Sequence, residues 1–171
     1  AERINDLGFS ELGHLIARVS TTLLLKDRVE EVYRDVLGEP AFHDLQTLSE
    51  LTVKPCSEQI MLRASASQVD TIFSNLFRNI LELSSEMEKS EIQVRWGIEE
   101  DPITMEREGQ IRVADSIPLF VTTEMIRSRY IAHGLGIVSQ LSSQLKGSIC
   151  VEDEPDFVKA IVVRLPIQDE A

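Results

Sequence analysis

Between residues 67 and 84, apolar side chains recur every three or four positions: Val69, Ile72, Phe73, Leu76, Phe77, Ile80 and Leu83. This recurrence predicts an amphipathic helix with one buried stripe. Asn75, Asn79 and Glu82 follow at spacings of four and three, which predicts one polar row along the edge of the apolar face. Two amides and a carboxylate so placed can face a metal-bound phosphate chain. Upstream, residues 1–38 also read as helical. Phe9, Leu12, Ile16, Val19 and Leu23 form one apolar set, and Leu25, Val29, Val32 and Val36 form another after a small shift. Ser20, Thr21 and Thr22 at the join are poor helix formers, so the segment is one bent helix or two helices meeting there. Gly38 and Pro40 stop it. Its apolar surface needs covering, by the following domain or by a second copy of the segment.

Past residue 41 the pattern becomes mixed. Residues 44–50 suit a short helix, and 51–53 and 59–64 carry strand-like patterns. Ile92, Val94, Trp96 and Ile98 alternate, which predicts a half-buried strand over 91–98. Residues 99–109 are acidic and contain a proline and a glycine, so they read as an exposed hairpin loop before a strand at 110–114. Residues 115–133 lack a clean period, with a short helix placed at 123–128. A helix over 134–146 puts Ile137, Val138, Leu141 and Leu145 on one face, and strands at 148–152 and 157–165 close the chain around the turn 153–156. This order predicts a two-layer α/β sandwich: a mixed, largely antiparallel sheet with helices on one face. An N-terminal helical segment at 1–40, for packing or dimerisation, would precede a domain at 41–171.

Composition narrows the picture. At 171 residues the chain fits one domain, and 43% apolar with 27% charged residues suits a folded core. A net charge of −12 opposes binding to nucleic acid or to anionic membranes. No apolar run approaches the roughly 18 residues of a membrane span, and no signal peptide is evident. A cytoplasmic domain is expected, and a chain opening on Ala1 is expected to be cut from something longer. Cys56 and Cys150 lack metal-ligand spacing and read as buried thiols in a reducing compartment. His43 and His133 have no partners at metal spacing. The acidic run Glu99, Glu100, Asp101, Glu106 and Glu108 reads as a solvated tip.

Three spaced blocks carry a family resemblance. Asn75-Leu76-Phe77-Arg78-Asn79-Ile80 resembles the asparagine box (Asn-Leu-x-x-Asn-Ala) of sensor histidine kinase ATP-binding domains, within the GHKL superfamily shared with gyrase. Val113-Ala114-Asp115 resembles the strand ending in that family's adenine-reading aspartate, and Gly134-Leu135-Gly136-Ile137-Val138 resembles the glycine box that opens the helix after the ATP lid. Lys146-Gly147-Ser148-Ile149 and Val162-Val163-Arg164-Leu165-Pro166 resemble its last hairpin, so the likeness spans residues 42–167. It implies that Asn79 ligates the magnesium bridging the ATP phosphates, with Asn75 supporting the phosphate region. It implies that Asp115 accepts a hydrogen bond from the adenine amino group, and that Gly134 and Gly136 let the backbone approach the phosphates. ATP and magnesium are the implied cofactors. A response regulator or another phosphorelay protein is the implied partner, and a homodimer through the N-terminal helices is compatible with the pattern.

The chain also departs from the family. Where the family has Asp-x-Gly-x-Gly, this chain reads Asp115-Ser116-Ile117-Pro118-Leu119, and Glu82 stands where a lysine or arginine usually follows the second asparagine. These departures open a second reading, a non-catalytic partner-binding or phosphotransfer module of the same fold. A serine kinase of the anti-sigma-factor type is a third, disfavoured because Asn75 stands where that family has glutamate. His14 lacks the acidic neighbour and downstream proline of the usual phospho-acceptor motif and reads as structural.

Overall fold

A computed structural model describes residues 24–45, 48–54, 60, 62–84, 89–118, 122–124 and 133–167. The expectations for residues 1–23, for His14 and for Cys56 concern positions outside these. The main elements of the described chain run in the order α1 (Leu24–Leu37), β1 (Ser49–Lys54), α2 (Ala66–Leu83), β2 (Ser90–Glu100), β3 (Arg107–Asp115), α3 (His133–Gln144), β4 (Ser148–Glu152) and β5 (Lys159–Pro166). A short 3-10 helix, Pro40–Leu45, joins α1 to β1. The expected helix at 44–50 is thus displaced toward the N-terminus. Ser49 and Glu50 instead pair with Ser90 and Glu91, because ladder hydrogen bonds to β2 outweigh a weak local preference.

The strands form one sheet in the order β1-β2-β3-β5-β4. Only the β1–β2 pairing is parallel; the others are antiparallel. Alternation sorts its two faces. Ile92, Val94 and Trp96 of β2, Ile111 and Val113 of β3, and Ile161, Val163 and Leu165 of β5 join one core with Val69, Ile72, Phe73, Leu76, Phe77, Ile80 and Leu81 of α2. Leu135 and Val138 of α3 enter the same core, as do Val29, Tyr33 and Val36 of α1. This is the two-layer sandwich, with helices on one face. The elements that follow therefore cover Val29, Tyr33 and Val36 of this helix. Tyr33 packs edge-on against Phe77, with ring centroids 5.4 Å apart, and its hydroxyl is hydrogen-bonded to Ser49.

The capping box at Ser65 fixes where α2 starts. Ser65 Oγ accepts from Gln68 N, and Ser65 N donates to Gln68 Oε1. Toward the same end of the sheet, Gly147 is required by contact. A side chain there would place its Cβ 2.0 Å from the Arg164 carbonyl oxygen.

The opposite sheet face carries paired charges. Arg95 and Arg112 face each other across β2 and β3, an arrangement that repels unless neutralised. Glu154, from the β4–β5 turn, lies 2.6 Å from Arg95 and 2.9 Å from Arg112, while Glu152 pairs with both Arg112 and Arg164. Cys150 is half-buried in this lattice rather than in the core. Its Sγ accepts from Arg164 and donates to Glu152. The expected loop at 99–109 is shorter than that, because both of its ends are strand. Glu99 and Glu100 pair with Glu108 and Arg107, leaving 101–106 as the turn. Of the expected strand at 59–64, the described part makes a single bridge, Leu62 to Ile167.

Candidate functional site

Chain direction brings the site residues predicted from sequence to one end of the sheet. β3 ends at Asp115, opposite the first residue of β5, Lys159, and Asp115 also pairs with Ile92 of β2. α2 begins at the far end, where Arg63 N donates to the Pro166 carbonyl, and it ends shortly before β2 starts at Ser90. α3 leaves from the Asp115 end and finishes just before Ser148, which pairs with Arg164 near the far end. The two helices are therefore antiparallel. The C-terminal half of α2, with Asn75 and Asn79, and the first turn of α3, with Gly134 and Gly136, lie at the same end as Asp115 and Lys159.

Asn75 and Asn79 are not on the rim of the helix but within its buried face, at 7% and 2% exposure. Glu82, expected in the same row, is exposed. Asn75 Nδ2 donates to the Thr71 carbonyl at 2.8 Å, so this amide is partly spent on its own helix. Asn79 differs: neither its Oδ1 nor its Nδ2 has a hydrogen-bond partner among the described residues.

Asp115 is fully buried. Its Oδ1 accepts from Lys159 Nζ at 2.9 Å and from Ile117 N at 3.0 Å, while Oδ2 has no partner among the described residues. The Ile117 bond closes a local turn of the kind aspartate favours at a strand end. Burial raises the Asp115 pKa, and the hydrogen bond and charge of Lys159, with the Ile117 N–H, oppose that rise. Lys159 is itself buried, and a cavity of about 190 Å³ opens beside it, lined by Thr122, Thr123, Val151, Glu152, Asp153 and Val158. Thr123 Oγ1 accepts from Val151 N at 2.9 Å, which ties the segment after Asp115 to edge strand β4.

The donor set fits the implied cofactors in part. Trp96 Nε1 and Ser142 Oγ are the other buried side-chain atoms without a described partner, so three of the five such atoms belong to Asn79 and Asp115. An amide oxygen suits magnesium. Among the described residues no three His, Cys, Asp or Glu side chains cluster to hold a metal, so a magnesium at Asn79 would also need phosphate oxygens. Among the described residues, no atom beyond its own helix and chain neighbours stands within 4 Å of where a Cβ on Gly136 would be. Ile117 stands where the family has its first glycine, and it is buried in the core.

Sequence reasoning missed Lys159. It lies 44 residues from Asp115, and only the β3–β5 register joins them. A lysine opening a strand, directly before the apolar run 160–163, was the available signal.

No protein-family model matches the sequence, and no curated protein matches it. Solved structures do. The mycobacterial sensor histidine kinase MprB is 16% identical, covering 85% of this chain and 97% of that one, with a TM-score of 0.63. The Acinetobacter baumannii histidine kinase AdeS is 14% identical, covering 98% of this chain and 80% of that one, also at 0.63. The ATP binding domain of PrrB from Mycobacterium tuberculosis is 14% identical, covering 85% and 95%, at 0.60. Shared architecture at such low identity speaks to the fold: the chain has the ATP-binding-domain fold of the histidine kinases.

Proposed function

We propose that this chain is the ATP-binding domain of a histidine-kinase-type phosphorelay protein, working in the cytoplasm with a response regulator as downstream partner. One observation carries the reading. Asn79 and Asp115, brought from α2 and β3 to one end of the sheet, hold three buried side-chain atoms without a partner among the described residues. Such atoms cost stability unless something satisfies them. In this reading Asn79 Oδ1 ligates magnesium and Asp115 Oδ2 accepts from the adenine amino group. The N-terminal turn of α3, with Gly134 and Gly136, offers backbone N–H groups to the phosphates. Asn75 supports the phosphate region. A ring nitrogen of a histidine on a neighbouring helical domain would take the γ-phosphoryl group of ATP, the bond from the γ-phosphorus to the β–γ bridging oxygen breaking and ADP leaving with the magnesium. The protein's contribution is positioning and charge neutralisation.

A second reading is a non-catalytic module of the same fold, favoured by Ile117 filling core space where the family has a glycine. Calorimetric titration of Mg·ATP separates the two. Binding that disappears in Asn79→Ala supports the nucleotide reading. A folded sample that shows no binding at millimolar ATP overturns it in favour of the non-catalytic module.

A further inference from the structure

Asp115 and Lys159 form an asymmetric pair. Both are buried, at 0% and 5% exposure. All described contacts to the carboxylate fall on Oδ1, from Lys159 Nζ at 2.9 Å and Ile117 N at 3.0 Å. Oδ2 is buried and has no described partner. The register places the pair on the sheet face of Val113 and Ile161, beneath the helices.

An ionised carboxylate only accepts hydrogen bonds, whereas a protonated one also donates. The ionised form takes an exocyclic amino group and repels a carbonyl oxygen; the protonated form tolerates either. Adenine and guanine differ in this respect at the same ring position, amino in one and carbonyl in the other. Burial drives Asp115 toward the protonated form, and Lys159 opposes it. Around the carboxylate, β5 contributes Lys159, β2 contributes Ile92 at the paired position, and the turn contributes the Ile117 N–H. Among the described residues Lys159 is the charged group facing it.

We propose that Lys159 is a positioning residue that sets base specificity: it holds Asp115 ionised and turned so that Oδ2 acts as a pure acceptor, admitting an adenine nucleotide and rejecting a guanine one. This rests on the nucleotide reading above.

The test compares Mg·ATP with Mg·GTP by calorimetry on the whole 171-residue chain, from mildly acidic to mildly alkaline pH. The wild type is expected to prefer ATP by about tenfold or more, the worth of one well-made base contact, with a flat pH profile. In Lys159→Met the preference falls to about threefold or less at the acidic end and recovers as pH rises and Asp115 ionises. Should circular dichroism show that variant unfolded, Lys159→Gln carries the same prediction, since it keeps a donor and loses the charge. An ATP-to-GTP ratio unchanged from wild type across the pH range overturns the role of Lys159 while leaving the nucleotide site standing. A wild type that binds neither nucleotide overturns both.

Discussion

Replacing Asn79 with leucine separates what this residue does for the fold from what it does for a ligand. Asn79 is 2% exposed, and both polar atoms of its side chain lack a partner among the described residues. A buried polar group left unsatisfied costs about 1–3 kcal/mol by mutational measures. Leucine keeps the branched connectivity and puts methyl groups where the oxygen and nitrogen stand, on a helix face already lined by Leu76 and Ile80. The nucleotide-free Asn79→Leu protein should therefore be more stable than wild type by about 1–3 kcal/mol. At about 2–4 °C per kcal/mol for a domain of this size, Tm rises by several degrees. Scanning calorimetry and urea unfolding without nucleotide provide the measurement, with an unchanged urea slope showing that the denatured state is unaltered. Mg·ATP should then raise the wild-type Tm by mass action and leave the variant's Tm unmoved. A loss of more than about 1 kcal/mol in the nucleotide-free variant would refute the reasoning. Asn79 would then hold the fold together, and no ligand would be needed to explain it.

Gly147→Ala forces a Cβ to 2.0 Å from the Arg164 carbonyl, so the β4–β5 end must shift; a loss of about 2–3 kcal/mol or more is expected in the urea midpoint. Glu154→Ala leaves Arg95 and Arg112 facing each other. Because Arg95 is 46% exposed, the expected loss is about 2–3 kcal/mol, below that of a wholly buried pair. Burial alone would raise the Glu152 pKa, but hydrogen bonds from Arg164 and Arg112 overcome it and hold the carboxyl at about 2. Its folded pKa is depressed, so its stabilisation is present above the usual carboxylate range and is lost as pH falls toward about 2. Glu152→Gln should flatten Tm against pH in that acid window and leave the neutral region parallel to wild type.

The elements read most surely from sequence were those whose periodicity matched their burial. The apolar stripe of α2 was legible at six of its seven positions, Val69 through Ile80, because a long amphipathic helix repeats its signal. Leu83 is only partly buried, and Leu81 takes the deeper place at the C-terminal turn. The alternation of Ile92, Val94 and Trp96 fixed β2 in the same way. Edges were read less well. Ser49 and Glu50 are weak strand formers held by their pairing with β2, and Glu99, Glu100, Arg107 and Glu108 look like loop until their cross-strand partners are known. At the site, Asn75 and Asn79 were identified as residues but misplaced to the helix rim, since helical spacing alone does not show how far the neighbouring layers extend over a face. Cys150, expected as a buried thiol, is only half-buried because its strand parity turns it toward the arginine lattice. The partnership of Lys159 with Asp115 is set by strand register and leaves no local pattern to read.

The side-chain amide of Asn79, proposed above as the magnesium ligand of a nucleotide site, reports on that role directly. In proton–nitrogen correlation spectra, with the Asn79 signal assigned by comparison with Asn79→Ala, adding Mg·ATP should shift the Nδ2 resonances saturably, while magnesium alone should not. Asn79 amide resonances that stay fixed through millimolar Mg·ATP, in a folded protein, would contradict the claim.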